Sequence, residues 1–271
     1  MKRTVMTLAM ILMLNTYSFA NDIFFTREVD NNKIKQQNIS VILDDCGASD
    51  HDIENLGKLV ESNIADNIVF AVMPDDVLYP KSKKFIALCA KYDLKVMLHQ
   101  PGEYLGEKEE PKEYSFKIMN GDSDATVKQK LSQNIDGILS ELKKYNKENL
   151  FIGMNLHQSS SVSQNERIME VYGDVLKNYE KKLGRDLIFV DSLTSKYSVA
   201  HECIDDDVLS YKRTVFLDHY EKAAENKKIV GTYLNSSRKQ MVLIGHIKKN
   251  STIELLKEIV PSSLDKNLTL P

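Results

Sequence analysis

The chain alternates short, wholly apolar runs with longer stretches in which apolar residues recur every three or four positions. The short runs predict strands covered on both faces, and the longer stretches predict amphipathic helices. Strands that alternate with helices build a mostly parallel sheet with right-handed connections. The predicted strands cover 39–44, 67–73, 94–99, 150–156, 186–191, 214–218 and 241–246. The predicted helices cover 51–63, 79–92, 125–145, 163–183, 220–237 and 251–260.

The polar residues that follow the strands suggest a shared site. Six of the apolar runs end in an aspartate or a histidine, and the carboxyl ends of parallel strands meet at one mouth of a sheet or barrel. Carboxylates are costly to hold at the tip of a buried strand unless something positive or protic engages them. The strand-end residues are Asp44 with Asp45, His99, His157, Asp191, Asp218 and His246.

One carboxylate and two imidazoles form a common hydrolytic metal site when a position stays open for water. The strand ends offer either Asp44 or Asp45 together with His99 and His157. Glu103 follows His99 by four residues across a Pro-Gly turn. We expect it to be either another metal ligand or a residue that positions a ligand. The Asp and His donors favour zinc.

The first 20 residues have the features of a signal peptide. Lys2 and Arg3 precede a short apolar stretch, and Ser18-Phe19-Ala20 forms a small-residue cleavage site. Residues 21–38 are polar and mixed, which predicts an N-terminal lead-in, and we assign 39–271 to one barrel domain. We therefore expect an exported protein, periplasmic or extracellular, with no membrane span after cleavage.

Charge and cysteine content narrow the function classes. Without Lys2 and Arg3, 34 basic residues face 39 acidic ones, a net charge of −5. This balance gives no electrostatic footprint for nucleic acid, and neutral or cationic substrates fit better. The three cysteines allow one disulfide with a free thiol, or no disulfide. The sequence does not indicate an oligomeric state.

Seven segments of the chain, taken in order, resemble a known family. They are Val41-Ile42-Leu43-Asp44-Asp45-Cys46-Gly47, Ala71-Val72-Met73-Pro74, Leu98-His99-Gln100-Pro101-Gly102-Glu103, Gly153-Met154-Asn155-Leu156-His157, Phe189-Val190-Asp191-Ser192-Leu193-Thr194 with Ser198-Val199-Ala200, Val215-Phe216-Leu217-Asp218, and Ile244-Gly245-His246. This series is similar to the divergent polysaccharide deacetylases (polysaccharide deacetylase family 2), which are related to the carbohydrate esterase family 4 deacetylases. The resemblance implies an irregular seven-stranded (β/α) barrel.

The resemblance also implies roles for particular residues. Asp44 corresponds to a general base, Asp45 to a metal ligand, and His246 to a general acid. His99 corresponds to a second ligand, and the third is either Glu103 or His157. Asp191 would orient a catalytic group. The implied activity is metal-dependent removal of acetyl groups from a polysaccharide or oligosaccharide.

Two segments depart from the family pattern. Gln158-Ser159-Ser160 stands where members have Met-Gly-Ser, and His246-Ile247-Lys248 stands where they have His-Pro-His. Two other functions therefore stay open. One is a non-catalytic envelope module that binds a glycan or a protein. The other is a glycosidase with Asp44 and Asp191 as its paired carboxylates.

Overall fold

A computed structural model of the protein describes residues 23–28, 36–106, 116–204 and 208–261. Within these ranges, one sheet contains eight parallel strands in the order β7-β6-β5-β4-β3-β2-β9-β8, with β1 antiparallel to β2. The strands are β1 Phe25–Glu28, β2 Gln36–Cys46, β3 Ile68–Val72, β4 Lys95–Gly102, β5 Phe151–Gln158, β6 Ile188–Asp191, β7 Leu209–Lys212, β8 Val215–Phe216 and β9 Gln240–His246.

The sheet is curled into an irregular barrel. Strands β7 and β8 lie at opposite ends of the strand order, yet only Arg213 and Thr214 separate them in the chain. Two residues span less than about 11 Å even when extended, so the two edges of the sheet must approach each other. The α/β barrel predicted from the sequence is confirmed, with eight parallel strands in place of the expected seven.

Helices cover the outside of this sheet. They are α1 Asp50–Glu61, α2 Ser82–Lys91, α3 Asp124–Lys143, α4 Glu166–Leu183, α5 Ala200–Cys203, α6 Ala223–Leu234 and α7 Asn250–Ile259. Alternate strand residues pack against the helices, whereas a smaller apolar cluster, built on Ile42, Met97, Val190 and Ile244, contains no residue of these seven α-helices. This second cluster fills the barrel interior, since successive strand side chains point to opposite faces.

Strands β1 and β7 were not predicted from the sequence, because polar residues interrupt their apolar pattern. Strand β7 mixes Leu209 and Tyr211 with polar residues, and only those two pack towards the inner cluster. Strand β1 lies in the predicted lead-in and pairs with the first residues of β2. The predicted signal peptide, residues 1–20, lies outside the described residues.

Two further properties of the described residues concern helix hydrophobicity and the cysteines. Among the described residues, no helix combines the length and apolar character that a bilayer span requires. The three cysteines are all free thiols, and Cys46 and Cys89 are buried. The thiol of Cys46 donates to the backbone oxygen of Leu43 at 3.1 Å and packs in the layer beneath the helices, which makes it a structural residue.

A bulge in β5 decides which residues of that strand face the interior. Val96 and Leu98 of β4 align with Phe151 and Met154 of β5, so β5 holds one extra residue between them. Ile152 faces inward before this point, whereas Met154 and Leu156 face outward after it. The extra residue thus turns Asn155 and His157 into the barrel.

Glycine at position 153 permits this bulge. Its φ is +143°, and a Cβ there would lie 1.9 Å from the backbone oxygen of Ile188. We expect Gly153→Ala to destabilise the protein by about 3 kcal/mol, because it adds both backbone strain and a backbone clash. Denaturant unfolding would measure the loss. Gly57→Ala is the control, since that helical position has nothing within 4 Å and should gain up to about 1 kcal/mol. Equal stabilities for the two variants would contradict this account of β5.

Candidate metal and catalytic centre

A second bulge turns two neighbouring carboxylates to the same side of the sheet. Leu43 and Cys46 of β2 align with Phe70 and Val72 of β3, so three steps along β2 match two along β3. Leu43 and Cys46 both pack outward, and the residues between them face the interior. Asp45 adopts a φ of 61°, a left-handed conformation that aspartate tolerates better than most residues.

Asp45 meets two histidines at the barrel mouth. Its Oδ1 lies 3.0 Å from Nδ1 of His157 and 3.4 Å from Nε2 of His99, and the two ring nitrogens are 3.1 Å apart. Neighbouring ligands of a tetrahedral zinc ion with bonds of about 2.0–2.1 Å are separated by about 3.3 Å. The three atoms therefore have the spacing and the chemistry to hold one divalent cation.

Asn155 ties this group to the second carboxylate. Its Nδ2 donates to Oδ1 of Asp44 at 2.7 Å, so its Oδ1 accepts from Nδ1 of His99, also at 2.7 Å. A proton on Nδ1 leaves the lone pair of His99 on Nε2, which faces Asp45 and His157. Asn155 thus selects the tautomer of His99 that can bind a metal and holds Asp44 beside it.

His246 approaches the acidic pair from β9. It is the register neighbour of Asp44, and its Nδ1 lies 3.0 Å from Oδ1 of Asp218. Asp218 also accepts from the backbone N–H of His246 at 2.8 Å and from the Thr252 hydroxyl at 2.7 Å. With Nδ1 engaged by Asp218, the remaining ring nitrogen, Nε2, is available to a substrate.

The two adjacent carboxylates have opposite electrostatic characters. Burial raises the pKa of Asp44, and the positive field of His99 and His246 offsets this only partly. Burial acts in the same direction on Asp45, but the adjacent imidazoles of His157 and His99 outweigh it and hold the pKa of Asp45 well below its usual range. Asp45 thus has the character of a metal ligand, and Asp44 that of a base that can accept a proton.

The histidines also differ from one another. Burial and the nearby His99 lower the pKa of His157, which favours the neutral form that binds metals. Burial opposes protonation of His246, but the charge of Asp218 outweighs burial and raises the pKa of His246. An imidazole that stays protonated at higher pH is suited to act as an acid.

The structure places two of the predicted residues outside this centre. Glu103 accepts from the backbone N–H of Asn120 at 2.7 Å and from the Ser161 hydroxyl at 3.4 Å, so it braces the loops after β4 and β5. The three-residue group therefore contains His157 and not Glu103. Asp191 accepts from the backbone N–H of Leu193 and from the Ser198 hydroxyl, at 2.8 and 2.9 Å.

Strand parity explains the position of Asp191. Ile188 and Val190 face the barrel interior, so the next residue points to the other side. The carboxylate that orients His246 is instead Asp218, a strand-end residue that does not cap the following helix. That helix, α6, begins at Ala223 after Lys222. Asp218 ends one of the predicted strands, so the sequence pattern had already placed it among the residues expected at the barrel mouth.

A groove beside the centre offers space for a substrate. It has a volume of about 530 Å³ and is lined in part by Tyr104, Gln158, Arg213 and Phe216. The ring of Phe216 stacks on His246, with centroids 6.1 Å apart and planes 19° apart, and the guanidinium of Arg213 lies 3.8 Å from the Phe216 centroid. One wall of the groove, formed by Phe216, therefore contacts His246. No local sequence pattern assigns Arg213 or Phe216 to this surface, because it is the fold that brings the loops together.

Comparison with known proteins gives a family. Residues 41–270 match the model of the divergent polysaccharide deacetylases, so the chain belongs to that family. The match includes Asp44, Asp45, both central histidines and His246. No curated protein sequence matches the chain.

Solved structures are similar to this chain at low sequence identity, and the first two share its fold. An uncharacterised protein from Agrobacterium tumefaciens C58 is 12% identical, with a TM-score of 0.59 over 81% of this chain and 80% of the other. A lactam utilization protein from Thermus thermophilus is 12% identical, with a TM-score of 0.55 over 80% and 93%. The catalytic domain of a peptidoglycan N-acetylglucosamine deacetylase from Eubacterium rectale ATCC 33656 is 15% identical, with a TM-score of 0.48 over 86% of each chain.

The geometry predicts which residues hold a metal. We expect Asp45→Ala and His157→Ala each to remove most of the metal that the purified, untagged protein retains, because each deletes one of three ligands. Glu103→Gln should keep its metal, since its carboxylate is engaged by Asn120 and Ser161. Elemental analysis after dialysis would measure the content. Metal loss in Glu103→Gln with retention in His157→Ala would reverse the ligand assignment.

Proposed function

We propose that the protein is a metal-dependent hydrolase that removes acetyl groups from a cell-envelope or secreted polysaccharide. The observation that carries the proposal is the convergence of Asp45, His99 and His157 beside a separate base and a separate acid. Family membership supports the same reaction class. The predicted signal peptide and the groove at the mouth suit an exported enzyme that meets a glycan chain.

The three ligand atoms would hold the metal, and zinc suits their nitrogen and oxygen donors. When bound there, such an ion supplies Lewis acidity, which activates water and stabilises negative charge on an acetyl oxygen. Asp45 and the two imidazoles would fix its place. Asn155 keeps the His99 lone pair directed to it.

Asp44 would act as the general base. It is buried next to the metal group, and its raised pKa brings it closer to working pH than an exposed aspartate. The hydrogen bond from Asn155 to Oδ1 leaves Oδ2 to take a proton from the attacking water. His246, held at Nδ1 by Asp218, would then give its Nε2 proton to the departing amine or alcohol. Acetate and the deacetylated glycan are the products.

The other candidate functions make different demands on the same residues. A glycosidase would need Asp44 and Asp191 across one substrate bond, but the carboxylate of Asp191 is engaged by Leu193 and Ser198 on the loop after β6. A binding module would need the groove, but it would not need Asp44 to act as a base. The altered segments after His157 and His246 border the centre, so the natural glycan need not match that of other family members.

Replacement of the proposed base tests the activity directly. We expect Asp44→Asn to reduce acetate release from acetylated chito-oligosaccharides by about a hundredfold or more, because the amide cannot accept the proton. Asp174→Asn, an exposed aspartate paired with Lys128, is the control and should match the wild type. Metal content and unfolding should be unchanged in both.

Three outcomes separate the candidate functions. Acetate release that depends on Asp44 supports the deacetylase. New reducing ends without acetate would favour the glycosidase. Glycan binding that survives Asp44→Asn, with no acetate released by the wild type, would identify a binding module.

The pH dependence tests the acid. The alkaline limb of activity should follow the deprotonation of His246, whose pKa is raised chiefly through Asp218 against the effect of burial. Asp218→Asn removes that negative charge, so the pKa of His246 falls and the limb should move to lower pH. The acid limb, set by Asp44, should stay in place. Rate profiles with Glu254→Gln as the surface control would measure this, and an unmoved alkaline limb would exclude His246 as the acid.

A further inference from the structure

Lys248 contacts the proposed metal ligand from the side opposite the histidines. Its Nζ lies 2.8 Å from Oδ2 of Asp45, while Oδ1 faces His99 and His157. Lys248 belongs to the segment that departs from the family pattern, where members have a histidine. The carboxylate of Asp45 is therefore held at both oxygens by this chain's own side chains.

The ion pair spans the boundary between the protein surface and the buried centre. The side chain of Lys248 is 55% exposed, whereas that of Asp45 is 6% exposed. Lys249, the next residue, binds the backbone oxygen of Asp218 at 2.9 Å and does not share this contact. Lys248 is thus the lysine that brings a full positive charge to the ligand group.

We infer that Lys248 is a built-in counter-ion of Asp45 that stabilises the metal-free centre and weakens its affinity for a divalent cation. A buried carboxylate without a partner is costly, and the ammonium supplies the partner when no metal is bound. A divalent cation at Oδ1 must then share the carboxylate with that ammonium and is repelled by it. Lys248 also occupies Oδ2, so Asp45 would offer the metal one oxygen.

This inference rests on the metal site of the proposed function, and it concerns binding and not catalysis. The experiment measures Zn²⁺ affinity of the untagged, mature protein by calorimetry or by competition with a chelator. Lys248→Met removes the charge at similar length, and Lys248→Gln removes the charge but keeps a hydrogen-bond donor. Lys248→Arg keeps the charge. Lys257→Met, which breaks an exposed pair with Glu254 on α7, controls for overall charge.

We expect Lys248→Met and Lys248→Gln to bind Zn²⁺ about tenfold more tightly than the wild type. Their chelator-treated forms should unfold at a lower temperature than the wild type, and Zn²⁺ should raise their midpoints further. Lys248→Arg and Lys257→Met should match the wild type in affinity. If Met does not allow folding, the Gln variant gives the same comparison.

Unchanged or weaker Zn²⁺ binding in both neutral variants would overturn the inference, as would tighter binding in Lys257→Met. The proposed function can be rejected independently of this inference. Tighter binding in the neutral variants with no acetate released by any protein would keep the role of Lys248 and reject the deacetylase. Acetate release together with equal Zn²⁺ affinities in the wild type and the neutral variants would support the deacetylase and reject the role of Lys248.

Discussion

The centre depends on how the barrel compensates two adjacent buried carboxylates. Asp44 and Asp45 are 3% and 5% exposed, and charge in such surroundings is stable only with partners. The partners come from three other strands or their ends: His99 on β4, Asn155 with His157 on β5, and Lys248 beyond β9. Other polar contacts at the mouth, including that of Asp218 with His246, extend this arrangement.

The compensation is unequal, and it moves the pKa values of the two carboxylates in opposite directions. Asp45 receives imidazoles at one oxygen and an ammonium at the other, so its anionic form is stabilised. Asp44 receives the neutral amide of Asn155, and burial dominates its pKa. Neighbouring carboxylates whose surroundings separate their pKa values can divide the roles of ligand and base. At His246, the hydrogen bond and charge of Asp218 outweigh burial and raise the pKa of the imidazole.

Both bulges matter because a regular strand could not present these residues. Alternation would send Asp44 and Asp45 to opposite faces of β2, and without the extra residue at Gly153 it would leave Asn155 and His157 among the outward side chains of β5. One inserted residue in each strand resets the parity at the barrel mouth. The positive φ of Asp45 and of Gly153 is the local cost of that geometry.

The sequence by itself determined the alternation of strands and helices, the barrel class and the set of strand-end residues, because hydrophobic periodicity and chain order are local properties. Tertiary structure decided which of those residues meet. Asp191 lies on the wrong side of β6, and Glu103 braces loops, whereas Asp218 turns to His246. The contact of Lys248 with Asp45 joins residues 203 positions apart. Such pairings depend on strand parity, bulges and sheet curvature, which no short stretch of sequence specifies.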